Sequence, residues 1–157
     1  MYFYLMILRL IIFLVINFAA LGLGGFFTGK GVPSEWYQNL NKAPWTPPGW
    51  MFGAAWTLIM ICFSFYMAYL WKSVSNYNLL IMVFAAQWLL NVSWNPAFFY
   101  FHNAIISLVI IISLTFVVTY FLFNYLSVLE FKSLYIAPYF VWLLIATSLN
   151  VYIVLKN

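Results

Sequence analysis

The sequence predicts an all-α membrane protein, a bundle of five transmembrane helices with a short helix in its long first loop. Three observations lead there. Hydrophobic residues fill 68% of the 157 positions and charged residues 5%, far outside the range of soluble domains. The apolar positions gather into five runs, near 5–27, 49–71, 79–101, 104–126 and 134–155, each about the 20 residues that a helix needs to cross a roughly 30 Å hydrocarbon core. None of them alternates with a period of two, and lipid offers unpaired backbone groups no water, so the runs are helices and not barrel strands. One domain, residues 1–157, accommodates all five.

The first run has Arg9 ahead of a stretch ending in Ala19, Ala20 and Gly22, which resembles a secretory signal. Its opening residues from Met1 onward are mostly apolar and the stretch is long for a signal core, so it is read as a span. Within it Gly24–Lys30, GGFFTGK, meets the first seven positions of a phosphate loop, but Gly31 stands where Ser or Thr is required and no strand precedes it. The small-xxx-small spacings Ala20/Gly24 and Gly25/Gly29 suggest close helix packing instead.

Residues 28–48 form the only long connection, and the short loops elsewhere call for antiparallel neighbours. Ser34 is placed to cap a short helix after Pro33, with Glu35 in its first turn. Pro47 and Pro48 suit the N-terminus of the second span, where a missing N–H does no harm. In that span Gly49, Phe52 or Gly53, and Trp56 share a face. The third span carries Gln87, Asn91, Trp94 and Phe98 at i, i+4, i+7 and i+11, one face of a helix. The fifth repeats the device with Tyr139, Trp142, Ala146 and Asn150, the small Ala146 leaving room between larger groups. Trp71 beside Lys72, together with Tyr2 and Tyr4, reads as interfacial anchoring.

Polar groups inside spans are costly, so their positions are informative. Gln87, Asn91 and Asn150 have two readings. They are interhelical hydrogen-bond glue, at about 0.6–2 kcal/mol each, or they line a cavity whose indole walls and few amides suit a flat hydrophobic ligand. Three Trp-bearing faces converging on one interior favour the cavity.

The composition excludes much else. The six basic residues, Arg9, Lys30, Lys42, Lys72, Lys132 and Lys156, are scattered and form no nucleic-acid-binding run. They divide evenly between the two ends of the bundle, so charge gives no orientation. With Glu35 and Glu130 as the only acids, His102 as the only histidine and Cys62 as the only cysteine, hydrolytic centres, metal clusters and intrachain disulfides are excluded by count. His102, at a helix end, reads as an interfacial histidine and not a haem ligand. Asn91-Val-Ser93 matches a glycosylation acceptor but lies inside a span.

Three blocks of residues resemble the translocator protein or tryptophan-rich sensory protein family (TspO/MBR). They are Trp36-Tyr37, Leu40, Lys42, Trp45-Thr46-Pro47-Pro48-Gly49-Trp50 and Trp56; then Gln87, Asn91, Trp94, Pro96 and Phe98-Phe99; then Pro138-Tyr139, Trp142, Ala146-Thr147 and Leu149-Asn150. The resemblance implies a homodimeric five-helix protein integral to a bacterial membrane. It implies a pocket under the first loop that binds porphyrin, haem or drug-like molecules with no required cofactor. The implied ligand-binding residues are Tyr37, Pro47, Trp50, Trp56, Asn91, Trp94, Trp142 and Ala146. A tetrapyrrole-binding sensor or carrier is the leading expectation. Light-dependent protoporphyrin degradation, which the resemblance would assign to Trp56 and Trp142, is an alternative. So is lipid or sterol transport, for which Leu149, Tyr152 and Lys156 supply a short sterol-type pattern.

Overall fold

The computed structural model describes residues 2–157, with the backbone alone at Tyr2; Met1 and the Tyr2 ring, one of the expected anchors, lie outside the described residues. Helix α1 (Tyr2–Gly31) is followed by α2 (Glu35–Asn39), α3 (Gly49–Ser73), α4 (Tyr77–Asn95), α5 (Ala104–Asn124), the single turn α6 (Leu126–Leu129) and α7 (Ala137–Lys156). Among the described residues five helices are long and apolar enough to cross a membrane, and there is no strand. The protein is an all-α, multi-pass integral membrane protein.

Local chemistry sets most of the helix ends. Ser34 Oγ accepts from the Tyr37 N–H at 3.2 Å and starts α2 as expected. Asn76 and Asn103 do the same for α4 and α5, accepting from Leu79 N at 3.1 Å and Ile106 N at 2.9 Å. Pro48 is the residue before α3, with φ −62°, so the proline pair stands outside the hydrogen-bonded helix.

Three features depart from the sequence expectation. Helix α1 continues through Gly31, a turn past the expected end near residue 27, and Gly24–Lys30 is part of that rod, in keeping with the rejection of a phosphate loop. Helix α4 passes into a π turn, Pro96–Tyr100, because Pro96 has no N–H to return to the preceding turn; the chain closes instead through Phe101 N to Pro96 O at 2.9 Å. The connection before α7 is not a few residues of loop: it winds through α6 and a 3₁₀ segment, Glu130–Ile136, that buries Leu129, Ser133 and Ile136 beneath the bundle.

The spans close in a ring, α1 against α3 and α4, α4 against α5, α5 against α7 and α7 against α3. Helices α3 and α4, joined by the shortest loop between spans, are therefore separated by α1 around the ring; they meet beside that loop, where the Trp71 and Tyr77 rings lie 5.1 Å apart, and across the interior, where Phe63 and Phe84 stack at 6.0 Å. At the end away from the first loop this interior is solid. Phe63 touches Tyr66, Phe121 and Tyr139 at 5.3–6.0 Å, and Tyr66 Oη donates to Phe121 O at 2.6 Å. Lipid tails are as apolar as these rings, so dispersion and interhelical hydrogen bonds, not water exclusion, hold the contacts. One such bond joins the middle of α1 to α3, where fully buried Asn17 donates to Ser64 Oγ at 2.9 Å.

Only some of the α1 glycines pack. A Cβ on Gly24 would lie 2.7 Å from Asn95 Nδ2 and one on Gly31 would fall on the Phe99 ring, whereas Gly25 and Gly29 face open space and pack against no helix of their own chain among the described residues. Gly31→Ala should therefore lower stability by about 1–3 kcal/mol, since Phe99 is held by Trp94, Phe98 and Tyr37 and has nowhere to retreat. Gly29→Ala should not, and its helix propensity favours a gain of up to about 1 kcal/mol. Thermal unfolding of both variants in one detergent checks the contrast; equal melting temperatures would remove the Gly31 contact.

Candidate functional site

At the first-loop end the interior residues become small, and the packed core gives way to a cavity of about 110 Å³. Ala20, Gly24 and Gly25 of α1, Gly53 of α3 and Ala146 of α7 leave the space. Trp56, Trp94, Phe98 and Phe99 supply aromatic walls, and Tyr37, Lys42 and Thr46 of the first loop form the roof. The π turn matters here, because it brings the adjacent Phe98 and Phe99 both into the wall.

The polar stripe divides into two roles. Gln87 Nε2 donates to Tyr139 Oη at 2.6 Å below the cavity. Asn150 accepts from Trp94 Nε1 at 3.0 Å and donates to Ala104 O at 2.9 Å, tying α4, α5 and α7 together. Those two are glue, and Asn150 also fixes the Trp94 ring, which lies parallel to Phe98 at 5.0 Å. Asn91 differs. It is 6% exposed, lines the cavity, and among the described residues its side-chain amide is paired with no protein group. An amide that lines a cavity and has no protein partner is free to bond what occupies the space, which makes Asn91 the polar group best placed to meet a ligand.

The roof is anchored at several points. Lys42 Nζ donates to Tyr37 O at 2.8 Å and Gln38 O at 3.2 Å, and lies 4.7 Å from the Tyr37 ring centroid. Burial pushes the Tyr37 phenol above its ordinary range, so it stays a neutral donor beside that ammonium. Asn41 N donates to Asn157 Oδ1 at 2.8 Å, and Asn157 Nδ2 returns a bond to Asn41 O at 3.3 Å. Trp45 Nε1 donates to Ser148 Oγ at 3.1 Å and its ring meets Tyr152 edge-on. Trp36 stacks on His102 at 4.3 Å.

Of the residues singled out from sequence, Tyr37, Trp56, Asn91, Trp94 and Ala146 come together on the cavity wall. Pro47, Trp50 and Trp142 are not on it. Trp50 is 71% exposed and points outward. Trp142 is buried behind Phe52, 5.6 Å away and edge-on, with its Nε1 unpaired among the described residues. His102 is exposed, outside the wall, with φ 51°, a left-handed conformation that ends the π turn. Leu149 lines the cavity while Tyr152 lies under Trp45 and Lys156 is exposed, so the sterol-type pattern is not one surface. No cluster of metal-binding side chains occurs among the described residues.

The sequence reading passed over Thr28 and Asn95, which line the cavity and are joined by a 2.8 Å hydrogen bond, and did not place Lys42 among the binding residues. Asn95 lies one turn beyond Asn91, so the rule that exposes intramembrane polar residues would have found it.

Comparison with known proteins places this geometry in a family. The sequence profile of the TspO/MBR family matches residues 11–155. The chain is 35% identical over 145 residues to the tryptophan-rich protein TspO of Archaeoglobus fulgidus, covering 92% of this chain and 91% of the relative. It is 32% identical over 139 residues to the protein of the same name from Chlorobaculum tepidum, covering 85% and 86%. To the human translocator protein it is 29% identical over 132 residues, covering 80% and 75%. Five spans, a helix-bearing first loop and a Trp-lined cavity beneath it thus accompany similarity along nearly the whole chain, and the protein belongs to the TspO/MBR family.

Proposed function

We propose that the protein binds a tetrapyrrole in this cavity, as a membrane sensor or carrier. The observation that carries the reading is the combination of aromatic walls, an unpaired amide at Asn91 and a single cation, Lys42, at the roof. A porphyrin's flat ring has apolar faces for Trp56, Trp94 and Phe98 to stack against, and its carboxylates suit the Lys42 ammonium. His102 lies off the wall, so haem would gain no axial histidine from the site, whereas a metal-free porphyrin requires none. Titration with protoporphyrin in darkness, followed by its absorbance and by quenching of tryptophan fluorescence, should saturate at one equivalent; a linear, non-saturating response would overturn the reading.

The cavity of about 110 Å³ is smaller than the roughly 300–1,000 Å³ of most ligand pockets, so the walls must spread to admit a macrocycle. The first loop supplies the roof, with Tyr37, Lys42 and Thr46 on the cavity wall. Hydrogen exchange between Thr28 and Pro48 should slow once protoporphyrin is bound. Protection confined to other segments would show that the loop is not a lid.

Light-dependent porphyrin degradation is a second reading, favoured by one feature: Trp56 stands in the wall with Tyr139 edge-on behind it at 5.7 Å, an electron-rich pair against the ligand position. The sterol-type pattern contributes only Leu149 to the wall, and sterol transport has less to rest on.

A further inference from the structure

We infer that the cavity opens sideways into the lipid, through a portal between α1 and α3 at Gly25 and Gly53, and that its ligand enters and leaves by that route and not through the first loop. Both glycines line the cavity, both are exposed, and so are their chain neighbours Phe26 and Ala54, which are not on the cavity wall. A Cβ built at either one would meet nothing within 4 Å. An exposed wall position beside an outward-facing neighbour, with empty space beyond its Cα, marks a gap in the wall. The roof, by contrast, is fastened by the Asn41–Asn157 pair, by Trp45 on Ser148 and by Trp36 on His102.

The depth of the gap identifies what it suits. Asn17 bonds Ser64 and Gly49 lies against Val32, 3.8 Å from its would-be Cβ, so α1 and α3 run antiparallel in a register that sets Thr28 level with Gly53 and Gly25 level with Trp56. At 1.5 Å per residue, Gly25 is about 12 Å and Gly53 about 16 Å along the axes from the Asn17–Ser64 pair, which lies at the middle of α1. Half of a hydrocarbon core is roughly 15 Å, so the portal sits where acyl chains meet headgroups. An amphiphile with an apolar ring and carboxylate edges occupies that depth. Its charged edge would also find cations on the way. Lys30 lies over the exposed Phe26 ring at 4.2 Å outside the portal, and Lys42 stands inside. Trp50, one turn before Gly53 on the same outward face, is at the interfacial level that indoles favour. Its exposure then has a use at the portal edge, although it does not touch the cavity.

The inference deepens the proposed tetrapyrrole site, and its test begins without that ligand. In a Cys62→Ser background, Ala146→Cys places one thiol on the cavity wall. In lipid vesicles the uncharged, membrane-soluble N-phenylmaleimide should label it readily. Gly25→Phe and Gly53→Phe should each slow that labelling about tenfold or more. Gly53→Ala, too small to plug the gap, should label at the wild-type rate, which separates plugging from misfolding. Gly22→Phe, also exposed with open space around it but absent from the cavity wall, should have no effect. The double variant Asn41→Ala/Asn157→Ala, which frees the roof, should leave N-phenylmaleimide labelling unchanged and accelerate only a charged thiosulfonate reagent from water. Wild-type labelling rates in both Phe plugs would overturn the portal. So would equal slowing by Gly22→Phe, which would make the outer glycines a helix–helix contact, or control of both reagents by the roof variant. For protoporphyrin delivered from vesicles, the plugs should slow both association and dissociation. If the labelling pattern holds but protoporphyrin does not bind the wild type, the portal stands and the tetrapyrrole reading fails.

Discussion

Lys42→Met is expected to weaken binding of protoporphyrin by about 10- to 100-fold while leaving binding of its dimethyl ester nearly unchanged. Among the described residues Lys42 is the one charged group on the cavity wall, and a hydrogen bond to a charged group contributes about 1.5–3 kcal/mol. Met keeps the apolar stem and removes only the ammonium. Because Lys42 also bonds the carbonyls of Tyr37 and Gln38, its loss loosens α2, and the ester measures that separately. A similar loss for acid and ester would make Lys42 a brace for the loop and not a carboxylate partner. Asn91→Ala should weaken both ligands alike, by about 1–3 kcal/mol, because an amide meeting the ring's polar edge is indifferent to esterification. Fluorescence titration of the two ligands against the two variants decides all four cases.

For light-driven bleaching of bound protoporphyrin, Trp56→Phe should reduce the protein-dependent rate at least about tenfold, equivalent to roughly 1.4 kcal/mol of barrier. Trp142→Phe should reduce it less. The sequence resemblance treats the two tryptophans as equals, but Trp56 is on the wall and Trp142 stands behind Phe52. His102→Ala should have no effect, because its ring lies outside the cavity against Trp36. Illumination at saturating pigment in detergent, with free pigment as reference, gives the three rates. Equal rates in all variants and in free pigment would reduce the protein to a binder. A larger loss for Trp142 than for Trp56 would mean that the reactive indole is the buried one.

The sequence by itself determined what the bilayer enforces. Lipid cannot satisfy a backbone or tolerate many charges, so five spans, their limits within a turn or two, the Ser34 cap of α2 and the inward faces of α4 and α7 were all legible in the order of residues. Helical periodicity also names which residues face inward, and Gln87, Asn91, Tyr139 and Asn150 are buried as it requires. What periodicity cannot say is which inward residue meets a partner and which meets empty space, since that depends on how far apart the neighbouring helices stand. Tertiary structure alone decided that Asn150 is spent on Trp94 and Ala104 while Asn91 is left facing the cavity. It decided that Phe52 comes between Trp142 and the space that Trp56 lines, and that Trp50 turns outward. The glycines make the same point. Identical in sequence and on one helix, Gly31 lies against Phe99 while Gly25 faces a gap, because a missing side chain acquires a meaning only from what stands opposite it.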